Sequence, residues 1–435
     1  MSEKINRGGM TGRDTVVAAR PAMLGPRLWF MMFLQFAIWG TWAVLIAKHM
    51  ENLKFTGAQM GYVYLTTALG AMLSPLVAGW IADRFLPNQL FTGAVHLLGA
   101  VLLFAAWRQT TFGPLWTVIL CYAVLYMPTI ALTNAIAFHH MGDSQKFGYV
   151  RVGGTIGWIA ITWLLGLYLG YWEKNAPGQS HVGDCLPVAA VLSVLMGLYC
   201  FTLPNTPPSK EAKNPFAFLE AFKLTANRNF SVLLVISFIV AIELPFYYNL
   251  TFLFLTDKVT GVGLAESRAA FAMSLGQVGE VLLMVLLAAS LKHLGMRKTI
   301  FLGILAWPVR YAVFAIGQPW WLVVAAQCLH GICYSFFFVG GMIAVERLAK
   351  KDIRASAQGL IVFATNGLGM LLGSLLAGWV FDFFKLPEGG HSWAKVFAIP
   401  IAVTAVGGMA FLAMFDERRF QEDALRVEQE TAAGG

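Results

Sequence analysis

Apolar residues along this chain gather into runs too long and too continuous for a soluble fold. Runs of about twenty residues fall at 28–47, 58–82, 88–107, 114–138, 147–171, 186–204, 229–256, 269–291, 299–317, 320–345, 359–384 and 394–415. A helix rises about 1.5 Å per residue, so each run is long enough to cross a hydrocarbon core of roughly 30 Å. Only a helix or a closed barrel satisfies its backbone there, and runs of this length specify helices. The pattern predicts twelve spans. The longest polar break, 205–228, divides them six and six. The expected organisation is a tail at 1–27, a bundle at 28–204, a linker at 205–228, a second bundle at 229–415 and a tail at 416–435. Within the linker, Pro215-Phe-Ala-Phe-Leu-Glu-Ala-Phe222 alternates aromatic and polar residues at helical spacing and is expected to lie on the membrane surface.

Composition agrees with this reading. Of 435 residues, 58% are hydrophobic and 12% charged, and the mean hydropathy is +0.65, which excludes an ordinary soluble protein. Cys121, Cys200, Cys328 and Cys333 lie inside apolar runs, so no disulfide framework is expected. The net charge of +8 acquires meaning from its distribution. Most Lys and Arg residues fall in the tails and even-numbered loops, which places both termini in the cytoplasm and makes the bilayer, not nucleic acid, the partner of this charge. Arg7, Arg13, Arg20 and Arg27 precede a long first run with no cleavage signal, so that run is expected to remain as a span. The sequence contains no phosphate-binding loop, dinucleotide fingerprint, His-Glu-x-x-His or nucleophile elbow, so no cofactor or metal is expected.

Ionisable and amide side chains are rare inside the runs, which makes each a candidate for chemistry. Glu280 is the one ionisable residue of 269–291 and sits at its centre, three places after Gln277. The two share a helix face. Facing a cavity, they offer an amide that donates and accepts beside a titratable acceptor; packed between helices, they offer a helix-to-helix hydrogen bond. In span five Arg151, Thr155 and Trp158 are spaced i, i+4, i+7, with Gly153, Gly154 and Gly157 beside them. That face can stack a flat ring and bond hydroxyls. Alternatively Arg151 snorkels to headgroups and the glycines serve packing. Span one repeats the spacing with Gln35, Trp39 and Trp42, and Gln35 and Trp39 are expected at a cavity. Span seven holds Glu243, Tyr247, Tyr248 and Asn249 around Pro245, which predicts a kink. Glu243 reads either as a substrate ligand or as a buried partner of Arg310 in span nine. Span ten adds His330, Tyr334 and Ser335, and span eleven adds Asn366 in a glycine-rich segment. His96 and Asn134 read as plain helix-to-helix bonds.

Two short repeats, Ala78–Asp83 and Ala377–Asp382, fall on opposite sides of the membrane, as inverted three-helix repeats require. Gly79-Trp-Ile-Ala-Asp83-Arg84 resembles the first half of the loop signature of the major facilitator superfamily. Gly295-Met-Arg297-Lys298 resembles its second half, with Lys292 in the place of the acid. Within that superfamily, Leu34-Gln35-Phe36-x-x-Trp39-Gly40-x-Trp42, Tyr126-Met127-Pro128-Thr129, Arg151-x-x-Gly154-Thr155-Ile156-Gly157, Gln277-x-x-Glu280, Ile353-Arg354-Ala355-Ser356-Ala357-Gln358-Gly359 and Thr365-Asn366-Gly367-x-Gly369 are similar to segments of the bacterial nucleoside:proton symporter family.

The resemblance implies an all-α integral membrane protein with twelve transmembrane helices in two six-helix bundles, the major facilitator fold. It further implies a monomeric carrier of the cell inner membrane that imports nucleosides with protons by alternating access. It places Arg151, Thr155, Trp158, Gln277 and Glu280 at the substrate, carries over Glu243, and makes Gly79, Asp83 and Arg84 a gating loop. Asn249, Tyr334, Ser335, Asn366, Gln35 and Trp39 complete the expected site. Ser335 stands where the family's characterised symporters carry Asp, leaving Glu280 or His330 as carrier of the coupling proton. Facilitated diffusion, transport of a sugar or other polyol, a non-transporting receptor, and an intramembrane enzyme using Glu243 and Glu280 as acid and base are the alternatives.

Overall fold

A computed structural model describes residues 23–77, 86–141, 144–207, 217–351 and 353–433. The expected gating loop of Gly79, Asp83 and Arg84 lies outside these residues. The described chain is helical apart from its turns, and its one β pairing is an isolated bridge between Lys385 and His391.

Ten of its helical stretches are long and apolar enough to cross a membrane. One of them, Glu266–Ile316, runs for 51 residues but reverses at Gly295, whose φ of 79° and ψ of 177° only glycine adopts without strain. It therefore supplies spans eight and nine. Gly57–Val77 supplies span two, so each of the twelve predicted spans is present as helix.

Spans one to six pack on one another: span one lies against five and six, span three against four and six, and span two against four. The later spans form a second bundle in which span twelve packs on seven and on the long hairpin of spans eight and nine. The bundles meet along two seams, span two with eleven and span five with eight. At the first seam the backbones touch. A Cβ on Gly61 would lie 2.5 Å from the Ser374 carbonyl oxygen, and one on Gly378 2.3 Å from that of Gly57. In a bilayer, where no hydrophobic force pulls helices together, such close approach is a main source of attraction.

Charge closes both seams on the face opposite the chain termini. Asp382, at the end of span eleven, accepts hydrogen bonds from the backbone amides of Gly57 (2.6 Å) and Ala58 (2.8 Å) at the start of span two. Glu173, at the end of span five, accepts from the Ser267 amide (2.9 Å) and the Ser267 hydroxyl (2.6 Å) at the start of span eight. Each bundle thus caps a helix of the other, where unpaired amides and the helix dipole favour a carboxylate. Nearer the membrane centre, Trp163 Nε1 donates to Ser274 Oγ at 2.8 Å across the second seam.

On the face that carries the termini, the segment expected as a tail at 416–435 is a helix, Glu417–Ala433. It docks because its polar groups find partners. The Glu417 carboxylate accepts from the amides of Met296 (3.2 Å) and Arg297 (2.6 Å), which open span nine. Asn227 Nδ2 donates to Asp423 at 2.7 Å, Asn229 exchanges two bonds with the Asp416 backbone, and Lys350 pairs with Glu430 at 2.7 Å. The expected interfacial segment is a tight 3₁₀ turn sequence, Ala217–Ala226, lying against Arg354–Val362 with Leu219 and Phe222 exposed.

The reciprocal caps predict how the face opens. Asp382→Asn combined with Glu173→Gln removes both charges, each worth about 1 kcal/mol at a helix N-terminus. A cysteine placed at Ser274 is expected to react at least tenfold faster with an impermeant maleimide in the double variant. An unchanged rate would show that other contacts hold this face shut.

Candidate substrate cavity

The wall supplied by the first bundle is set by three glycines. A Cβ on Gly153 would lie 2.5 Å from the Trp29 carbonyl oxygen, on Gly154 2.6 Å from the Phe36 ring, and on Gly157 2.2 Å from the Phe33 carbonyl oxygen. Span five is therefore pressed against span one, and its neighbouring face, bearing Arg151, Thr155 and Trp158, stays partly accessible. The Arg151 guanidinium does not turn away to the headgroups. Its Cζ lies 4.0 Å over the Phe36 ring. Trp158 meets Trp39 edge to face at 5.8 Å, and Trp39 meets Tyr126 at 6.4 Å, which makes an aromatic corner beside the guanidinium.

Gln35 lies behind this corner, fully buried. Its Nε2 donates to Thr129 Oγ1 (2.8 Å), its Oε1 meets His96 Nε2 (2.9 Å), and its carbonyl accepts from the Tyr126 hydroxyl (2.6 Å). His96 Nδ1 in turn meets Ser193 Oγ at 3.1 Å. Gln35 is thus the hub of a closed polar core joining spans one, three, four and six, and the expectation that it lines the cavity is not what the geometry places there. His96 makes the helix-to-helix bonds expected of it.

The second wall comes from spans seven, eight and ten. A Cβ on Gly331 would lie 2.3 Å from the Gly279 carbonyl, so spans eight and ten touch and fix the helix face of Gln277 and Glu280. Glu280 is partly buried and faces the other bundle, where the Arg151 guanidinium acts on it electrostatically. Tyr334 is partly accessible and feels both charges, and Tyr248 lies near Glu280 and Tyr334. The Gln277 Oε1 atom is buried without a partner. Arg151, Trp158 and Trp39 of the first bundle and Glu280, Tyr334 and Tyr248 of the second are thus partly accessible side chains, with Gln277 buried one turn from Glu280.

Other predicted residues lie elsewhere. Ser335 is fully buried with its hydroxyl unpartnered, and Tyr334 takes the cavity position. Asn249 is buried with both amide atoms unpartnered, whereas Asn366 is exposed at mid-span. All three belong to π-helical turns, Phe246–Leu250, Cys333–Val339 and Phe363–Gly369, in spans seven, ten and eleven. Such turns insert an extra residue and recur at functional sites. Glu243 lies behind the wall, accepting a hydrogen bond from the Tyr311 hydroxyl and feeling Arg310. His330 is buried, and its Nδ1 faces Arg310 Nη1 at 3.2 Å. A guanidinium only donates, so that nitrogen must accept. No cluster of His, Cys, Asp and Glu that could hold a metal occurs among the described residues.

Two six-span bundles that meet along two seams and carry polar side chains at mid-span define a transporter of the major facilitator fold. The solved structure of the D-xylose-proton symporter shares it, with a TM-score of 0.67 over 91% of this chain and 99% of that one at 13% identity. The model of the nucleoside H+ symporter family matches residues 23–419, and the chain belongs to that family. It is similar to the putative nucleoside transporter YegT of Escherichia coli K12, 34% identical over 94% of this chain and 97% of the relative. It is also similar to the nucleoside permease NupG of the same organism, 31% identical over 89% and 95%. A crystal structure of NupG superposes with a TM-score of 0.79 over 91% of this chain and 99% of that one.

The closed core around Gln35 separates stability from binding. Gln35→Leu orphans His96 and Thr129 and is expected to cost about 1–3 kcal/mol, seen as a lower Tm, with substrate affinity changed less than about threefold. Trp39→Ala is expected to lower affinity more than it lowers Tm. A Gln35→Leu variant of normal Tm and lost affinity would return Gln35 to the cavity.

Proposed function

We propose that this protein imports nucleosides across the cell inner membrane together with protons, by alternating access, as a monomer with both termini in the cytoplasm. The observation that carries this reading is the placement of Arg151 and Glu280 on spans five and eight, which pack together at one seam of the two bundles. Opposite charges come from the two bundles, on the two spans whose contact must open and close, and the Arg151 guanidinium acts electrostatically on Glu280. The family and the names of its relatives YegT and NupG support nucleosides as the substrate class.

The site's chemistry suits such a ligand. The Trp39–Trp158 corner offers ring faces for a base, and Gln277, Glu280 and Thr155 offer donors and acceptors for ribose hydroxyls. An ionised Glu280 is held by Arg151; a protonated one is released to serve the sugar. Proton and substrate are thereby linked at one carboxylate, as symport requires. Glu280 is preferred over His330 as the carrier because protonating His330 would set a second donor against Arg310. On this reading the capped face is the outer one, the bundles rock about the seams, and the loop with Gly79, Asp83 and Arg84 gates the inner side.

The test is uptake of labelled uridine and guanosine between pH 5.5 and 8, with and without a protonophore, and with sugars as competitors. Wild-type uptake is expected to rise as pH falls and to collapse with the protonophore. Glu280→Gln is expected to lose the pH response and about tenfold or more of the accumulation. Trp158→Ala is expected to raise KM by roughly fivefold to a hundredfold, the worth of one stacked base. Correct membrane insertion with no nucleoside uptake at any pH overturns the reading. A pH response that survives Glu280→Gln removes Glu280 as the carrier.

A further inference from the structure

One layer behind the cavity lies a cluster that the transport chemistry above leaves unused. Arg310 of span nine is fully buried near the middle of the membrane, among the costliest placements for a cation. Its Nη1 donates to His330 Nδ1 at 3.2 Å, and its Cζ lies 4.3 Å over the Tyr247 ring and 5.1 Å over that of Tyr311. Its Nε and Nη2 have no partner. Glu243 of span seven is the carboxylate that acts on it. Tyr311 occupies one Glu243 oxygen, and the other, Oε1, is buried and free.

A desolvated cation and a desolvated carboxylate therefore stand close, each with unused atoms that fit the other. The arrangement fits a couple with two settings. Arg310 rests on His330 and Tyr247, as observed, or turns its free nitrogens to Glu243 Oε1. The protonation of Glu243 chooses between them, since only the ionised carboxylate competes for the guanidinium. The proton is taken from water by the Glu243 carboxylate and returned to water, and no other bond changes.

Tyr247 links this couple to the cavity. Its ring lies under Arg310, stacks on His330 at 4.8 Å, and feels Glu280 from the other side. Its neighbour Tyr248 lines the cavity. Both belong to the π turn Phe246–Leu250 that follows Pro245, a segment short of regular backbone bonds and able to change register.

We propose that Glu243 and Arg310 form a second proton-responsive centre, which positions the Tyr247–Tyr248 wall and so tunes substrate affinity. The proposal rests on the transport reading above. The charged and titratable groups facing the couple are Tyr311, Tyr247, His330 and Cys333, with Glu280 beyond Tyr247. Glu280 is the one other carboxylate among them, so the two acids can be separated by substitution.

The test is equilibrium binding of labelled uridine to the purified full-length protein from pH 5.5 to 8.5. Glu280→Gln is expected to keep a change in Kd of about fivefold or more across this range, and adding Glu243→Gln is expected to flatten it. In the wild-type background, Glu243→Gln is expected to make the profile shallower. A flat profile in Glu280→Gln, a slope that survives in the double variant, or an unaltered profile in Glu243→Gln overturns the proposal. Thermal unfolding reads the couple without ligand. At pH 8.5, Glu243→Gln removes the ionised partner of Arg310 and is expected to lower Tm, and Glu243→Gln with Arg310→Gln is expected to restore it. Absence of the loss or of the recovery overturns the couple. If the wild type binds no nucleoside, the transport reading fails, and the unfolding series still decides whether Glu243 and Arg310 act as a pair.

Discussion

An ionised group in hydrocarbon must be answered by another group, and this protein is arranged around that demand. Four ionisable groups lie deep in its spans: Arg151, Glu280, and the buried Arg310 with its carboxylate Glu243. Arg151 and Glu280 act on each other electrostatically from opposite bundles. Arg310 and Glu243 are answered within one bundle, and incompletely. The first arrangement makes the separation of the bundles an electrostatic event, because moving them apart leaves each charge to water, substrate or a proton. The glycine seams keep the bundles near enough for that interaction to matter.

The two bundles resolve their buried polar groups differently. In the first, Gln35, Thr129, His96, Ser193 and Tyr126 close into a network, while Thr92 Oγ1, the Tyr122 hydroxyl and Asn134 Oδ1 are buried and unpartnered outside it. In the second, Glu243 Oε1, both amide atoms of Asn249 and of Gln327, and the Ser335 hydroxyl are buried and unpartnered. All three π turns also belong to the second bundle. Unmet polar groups beside irregular backbone are where local rearrangement costs least. What sets the second bundle apart among the described residues is irregular backbone at mid-span.

Much of this was legible in the sequence. The twelve runs, the six-and-six division and the shared faces of Gln277 with Glu280 and of Arg151 with Thr155 and Trp158 follow from helical spacing, and the helices keep that spacing where these residues lie. The misses have separate physical sources. Placing Ser335 at the cavity assumes an unbroken α-helix, and the π turn at Cys333–Val339 adds a residue, so that Tyr334 takes the position. Pro245 announced the irregularity in span seven, but nothing local announced it in span ten. Gln35 was misjudged for another reason: a polar side chain at mid-membrane can be satisfied by a neighbouring span as well as by a cavity, and one helix cannot reveal which. The docking of the last helix was hidden likewise, because its partners Asn227, Asn229 and Met296 are distant in sequence.

The caps on the closed face have a consequence for how such a molecule arises. Each six-span unit carries a carboxylate at the end of its fifth helix and, at the start of its second, amides that this carboxylate's counterpart accepts from. One unit therefore holds both halves of the contact, and two copies related by a two-fold axis satisfy each other completely. That is the self-complementary interface of a symmetric homodimer, retained here within a single chain. Duplication and fusion of one six-helix ancestor would need no new gate, because the gate already existed as the contact between identical partners.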